Sequence, residues 1–174
     1  MTYLSVESAI IHEDYNDLRI DDGDDVALIK LSNLLNFQNN PSVQPVCLAE
    51  AEDLMIGQDL VNSGWGNIIP SRNNSSPNEL YEVSLTHVDL EICSYFEDVP
   101  RDRQKVLCTL NANKSSCYGD SGGPLVVQLC DGRWVQAGVV SYGTEDCTGV
   151  VLFTSVPYYK DWIIRNIEKP IYIC

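Results

Sequence analysis

Six short runs of apolar or alternating residues constrain this chain more than any other feature: Ala9–Ile11, Val26–Leu31, Tyr81–Val88, Pro124–Leu129, Trp134–Tyr142 and Val150–Phe153. Each is bounded by Gly, Asn, Asp or Pro, residues that turn the backbone or cannot extend a ladder. Strands this short, at punctuated intervals, predict an all-β sandwich or barrel. The tail reads differently. From Pro157 to Ile167, Tyr159, Trp162, Ile163 and Ile167 recur at three- and four-residue spacing, which predicts one amphipathic helix. Asn67 to Asn78, rich in Pro, Ser and Asn, reads as an exposed loop. No internal repeat and no linker divides the chain.

With 174 residues, one domain with a sizeable core is expected. Eleven Lys plus Arg against 25 Asp plus Glu give a net charge of −14. Nucleic-acid binding relies on clustered cations to displace counterions, so that class is excluded. No apolar run approaches the roughly 18 residues of a membrane span. The start, Met1 to Glu7, has neither the basic nor the apolar part of a secretory signal. Seven acids lie between Glu13 and Asp25, but Asp21-Asp-Gly-Asp-Asp25 lacks the ligand spacing and closing Glu of an EF-hand. They are read as a solvated loop; no metal or cofactor is expected.

The seven cysteines point to an oxidising compartment. None forms C-x-x-C, and the spacings from Cys93 through Cys108, Cys117, Cys130 and Cys147 match no common zinc pattern. Sequons at Asn73, Asn74 and Asn113 agree with that compartment. The odd count leaves one thiol whose partner lies elsewhere.

Chemistry concentrates in Cys117-Tyr-Gly-Asp-Ser-Gly-Gly-Pro-Leu-Val126. A nucleophilic Ser needs an exposed hydroxyl and backbone N–H groups aimed at the oxyanion formed when it attacks a carbonyl. Flanking glycines let the chain turn tightly without a Cβ blocking the substrate. A bare Gly-Asp-Ser-Gly could be an ordinary hairpin turn, but the longer run with its flanking Cys and following strand argues against that.

Here the sequence resembles the trypsin-like serine endopeptidases over nearly its whole length. Gly119-Asp-Ser-Gly-Gly-Pro124 matches the family's nucleophile motif, and Asp25-Val-Ala-Leu-Ile-Lys-Leu31 its second triad segment. Pro45-Val-Cys-Leu48, Gly64-Trp-Gly66, Gly138 to Gly143 and the terminal helix follow in the family's order. The resemblance implies Ser121 as nucleophile, Asp25 as triad acid, and the Gly119 and Ser121 N–H groups as the oxyanion hole; these roles come from the family's mechanism. A carboxylate opening the apolar run Val26–Leu31 must be hydrogen-bonded or paired, which agrees with such a role for Asp25. The implied fold is two six-stranded antiparallel β-barrels with a C-terminal α-helix, the first barrel incomplete. As one domain over 1–174, residues 1–55 would be the remainder of the first barrel, 56–156 the second, and 157–174 the helix and tail.

The base is missing from this pattern. In the family the order is His, Asp, Ser, so the His should precede Asp25, and only His12 does. It sits in Ala9-Ile-Ile-His-Glu-Asp-Tyr15, which resembles a non-catalytic surface segment, and His87 falls after Asp25, in a strand. The expectation is a chain cut short at its N-terminus and inactive alone. The family's activation amine pairs with the Asp before the nucleophile; here Asp120 would be left without it, protonated or displaced.

The resemblance also implies disulfides Cys93–Cys108 and Cys117–Cys147. A further family bridge would join positions occupied here by Leu60 and Val127, both ends lost together. Cys47 matches a cysteine that tethers an upstream activation segment, with Cys130 and Cys174 as alternative partners. Primary specificity falls on Ser115, too neutral to bury a cation. Ser141, Tyr142 and Gly143 would line the pocket, with Val151, or Gly149 in its place, as a wall; Val151 would favour small or medium apolar P1 side chains. Expected partners are protein or peptide substrates and protein protease inhibitors, outside the cell. Two other readings stand beside the enzyme: a non-catalytic homologue acting as a binding or regulatory module, and a splice product too open-edged to fold.

Overall fold

A computed structural model of the chain describes residues 4–39, 41–69 and 75–167. The sequons at Asn73 and Asn74, and Cys174, lie outside these residues. The chain runs β1 (Val6–Ile11), β2 (Ala27–Leu31), β3 (Cys47–Leu48), β4 (Asp59–Gly64), β5 (Tyr81–Val88), α1 (Leu90–Cys93), β6 (Val106–Asn111), β7 (Pro124–Gln128), β8 (Trp134–Gly143), β9 (Gly149–Ser155) and α2 (Val156–Asn166).

Strands β4 to β9 pair antiparallel in the order β7-β4-β5-β6-β9-β8, and β8 pairs back onto β7. A sheet closed this way has no edges within the ring, which removes the unpaired N–H and C=O groups that invite aggregation. The two residues of β3 add to β8 in parallel. Alternation fills the barrel: Leu60, Leu85, Leu125, Val127, Val151 and Phe153 point inward and are at most 3% exposed. Strand β9 reads as a continuous apolar run because both of its faces are covered. Val151 and Phe153 enter the barrel core, while Val150 and Leu152 join a second cluster with Val106, Cys93 and Cys108. Leu60 and Val127 lie on paired strands, next to the register pair Val61–Val126, so apolar packing stands where the family places its third bridge.

The second sheet is a ribbon of two antiparallel strands, with Ala9 opposite Ile29. It buries little of itself: Val6, Ile11 and Ile29 are more than half exposed. Helix α2 starts with Pro157 in its first turn, which the unbonded N–H groups there tolerate, and buries Val156, Tyr159 and Trp162. It connects the two sheets. The Trp162 indole donates to Glu13 Oε2 at 2.8 Å, and His12 packs against the rings of Tyr159 and Trp162 at 5.3 and 4.9 Å.

Cys93 is bonded to Cys108 and Cys117 to Cys147. Cys47 is disulfide-bonded too, and the unpaired cysteine among the described residues is Cys130, exposed in the β7–β8 turn. Of the alternatives for Cys47, Cys130 is thus not its partner.

Candidate active site

The loop carrying Ser121 takes its shape from two glycines in a backbone conformation that side chains rarely adopt. Gly119 and Gly122 have φ of +102° and +78°, in the left-handed region, and a Cβ on Gly119 would come within 3.1 Å of Gly66 Cα. Ser121 is exposed at the turn, its hydroxyl without a hydrogen bond among the described residues. The N–H groups of Gly119 and Ser121 are likewise unspent there, whereas the neighbouring Gly122 and Gly123 amides are used: Gly122 N–H donates to Val140 C=O at 3.0 Å and Gly123 N–H to Asp120 C=O at 2.8 Å.

Asp120 turns inward. Its Oδ1 accepts the Gly66 N–H at 2.8 Å and its Oδ2 the Cys117 N–H at 2.9 Å. A Cβ on Gly64 would sit 2.0 Å from Asp120 Oδ1, and one on Gly66 2.4 Å from its Cγ, so Gly64-Trp-Gly66 is a cradle for this carboxylate. Asp120 is half-buried, and these two amides give its carboxylate partners within the loop. Its carboxylate and Ser115 share the lining of a cleft of about 380 Å³.

Asp25 reaches the same neighbourhood from the ribbon. Ser141 donates its hydroxyl to Asp25 Oδ2 at 2.7 Å, and Thr154 donates to the Asp25 carbonyl at 2.7 Å. One residue before Ser141, Val140 holds the nucleophile loop by two bonds, accepting from Gly122 N–H and donating to Gly123 C=O, both at 3.0 Å. Consecutive residues of β8 therefore anchor the loop that carries Ser121 and the carboxylate of Asp25.

Neither histidine joins them. His12 faces Asp24 and not Asp25. Its Nδ1 accepts the Asp14 N–H at 3.3 Å and lies 3.8 Å from Asp24 Oδ1. His87 is buried on β5 and donates from Nδ1 to Met55 C=O at 3.1 Å; burial pushes its pKa below the ordinary value. It lines a groove of about 570 Å³ that holds none of the expected site residues, so size is a poor guide to the site in this molecule.

The expected specificity residues are spread more widely. Gly143 faces Val151 across β8 and β9, but Val151 is 3% exposed, with its side chain in the barrel core. Tyr142 donates its hydroxyl to Asp98 C=O at 2.9 Å, and burial, with the acids Asp21, Glu97 and Asp98 nearby, pushes its pKa well above the usual tyrosine range. Behind Ser115, Ser116 donates to Asn62 Oδ1 at 2.8 Å and Asn62 Nδ2 donates to Pro124 C=O at 3.0 Å. Sequence reading missed Asn62; its signal was a polar residue at a position that alternation assigns to the same inward face as Leu60.

The Trypsin family matches residues 2–163. A tryptase from Mus musculus is 36% identical over 178 residues, covering 95% of this chain and 63% of its own length. Phenoloxidase-activating factor 1 from Holotrichia diomphalia is 34% identical over 171 residues, covering 95% of this chain and 46% of its own length. The chain thus spans less than two thirds of the length of these curated relatives. The family match over most of the chain, with the closed barrel and its terminal helix, shows that this chain belongs to the trypsin family of serine proteases.

Proposed function

We propose that the chain carries the nucleophile, oxyanion hole and acid of a serine endopeptidase site and needs a base from outside these 174 residues. The observation that carries this reading is the joint anchoring on β8: Val140 holds the Ser121 loop and Ser141 holds Asp25. An imidazole entering between them would donate N–H to Asp25 and take the Ser121 proton as Oγ attacks a peptide carbonyl. The unspent Gly119 and Ser121 N–H groups face the developing oxyanion. Asp120, supported by two amides and bordering the 380 Å³ cleft, is suited to accept an ammonium group there as the activation partner. Uncharged Ser115 favours an uncharged P1 side chain over Lys or Arg. The two described disulfides and the exposed sequon at Asn113 suit an extracellular protein acting on protein or peptide substrates and met by protein inhibitors. Without a base, the chain by itself is inactive toward peptides.

A non-catalytic homologue is favoured by one observation: both histidines are engaged elsewhere, His12 at Asp24 and His87 at Met55. Fluorophosphonate labelling separates the two readings. In that reaction Ser121 Oγ bonds to phosphorus, fluoride leaves, and a base takes the hydroxyl proton. We expect slow labelling of the chain alone, faster labelling with added imidazole, and none in Ser121→Ala. No labelling of Ser121 even with imidazole supports the non-catalytic homologue. Labelling at an intact peptidase's rate without imidazole contradicts the missing base.

A further inference from the structure

Asp24 is 4% exposed, and its atoms are fully engaged. Oδ2 accepts Lys105 Nζ at 2.6 Å, Oδ1 accepts the Tyr159 hydroxyl at 2.9 Å, its N–H donates to Tyr159 Oη at 2.9 Å, and its carbonyl accepts Val26 N–H at 2.8 Å. The groups facing its carboxylate are therefore Lys105, Tyr159 and the ring of His12. Burial, then the hydrogen bond to Asp24, pushes the Tyr159 pKa far up, so that hydroxyl remains a donor.

Lys105 grips more than the carboxylate. It lies in the 3₁₀ turn Arg103–Lys105 that leads into β6, and its Nζ also donates to Asp22 C=O at 3.3 Å. Its methylenes press on Gly23, where a Cβ would lie 2.8 Å from Lys105 Cδ and where φ is +86°. One side chain from the barrel thus holds the three residues that precede Asp25. Asp24 itself has φ of +64°, a left-handed conformation that costs a non-glycine residue energy and persists only where its surroundings impose it. Asp25 follows directly on this fixed turn, with its Oδ2 on the Ser141 hydroxyl.

We propose that Asp24 and Lys105 are a positioning pair: a buried clamp from the barrel that fixes the turn from which Asp25 presents its carboxylate to Ser141. This rests on the reading of Asp25 as the acid of the site. The test uses the 174-residue chain with added imidazole and a fluorophosphonate, alongside hydrogen exchange. Lys105→Met should slow Ser121 labelling about tenfold by misplacing the acid. It should also raise exchange from Val26 to Ile29 while β5 stays protected. Lys105→Arg, which keeps the charge, should retain most of the rate. In an Asp25→Asn background, Lys105→Met should add no further slowing. If Asp25→Asn alone leaves labelling unchanged, the acid assignment fails and the pair has nothing to position. If Asp25→Asn slows labelling but Lys105→Met does not, the proposal is overturned while the acid assignment stands. Should Lys105→Met unfold the chain, Asp24→Asn with Lys105→Met leaves no lone buried charge and carries the same expectation; a full labelling rate in that folded variant overturns the proposal.

Discussion

The barrel of β4 to β9 and the ribbon of β1 and β2 are built on different principles. The barrel closes on itself around Leu60, Leu85, Leu125 and Phe153, all 0% exposed, so apolar burial sets its shape. The ribbon has almost no interior; its seat depends on side-chain hydrogen bonds from Ser141, Thr154, Lys105, Tyr159 and Trp162. The loop of Ser121, the proposed nucleophile, belongs to the first region and Asp25, the proposed acid, to the second. A site assembled across them can lose its acid while keeping its nucleophile, and the two losses should be separable by experiment.

The sharpest way to break the contrast is to empty the barrel. Phe153→Ala should cost about 3–5 kcal/mol in denaturant unfolding and weaken both regions together, because the ribbon has nothing else to sit on. Ile29→Ala, at 64% exposure in the ribbon, should stay within about 0.5 kcal/mol. Equal costs would show that the ribbon has an apolar seat after all. A smaller effect, confined to one side, is expected of Thr154→Val, which keeps the volume but removes the 2.7 Å bond to Asp25 C=O. We expect about 1–2 kcal/mol, read as faster exchange at Asp25 and Val26 with β5 unchanged. Uniform exchange changes would contradict independent seating.

The smallest effect concerns pH and belongs to the barrel alone. Burial lowers the His87 pKa below its ordinary 6.5, so the native state binds that proton less readily than the unfolded chain. The unfolded state then holds more protons below that value, and this part of the stability is lost as pH falls from 6.5 toward the native pKa. His87→Gln should flatten the decline in Tm between about pH 7.5 and 5.5. An unchanged slope would mean that His87 titrates alike in both states.

Most of the barrel was legible from residues alone. Alternation and turn residues marked its strands, and three- and four-residue spacing marked α2. The double burial of β9 was not, because a run such as Val150–Phe153 does not say how many of its faces are covered. At the candidate site, the run around Ser121 and the segment opening at Asp25 stand out in the sequence because their patterns are local. What stayed hidden depends on contacts far apart in sequence. Asp24 and Lys105 are separated by 81 residues, Asp25 and Ser141 by 116, and Asp120 meets Gly66 across 54. The acidic stretch Glu13 to Asp25 was read as a solvated loop; Asp24 is instead its buried anchor, a distinction that composition cannot make.

A crystal structure of the fluorophosphonate adduct would test whether Ser121, two unspent amides and a β8-anchored Asp25 form one site. Phosphorus is expected on Ser121 Oγ, with a phosphoryl oxygen about 2.7–3.1 Å from the N–H groups of both Gly119 and Ser121 and the Asp25–Ser141 bond intact. An adduct on another residue, or a phosphoryl oxygen turned to solvent with those amides still unbonded, would contradict it.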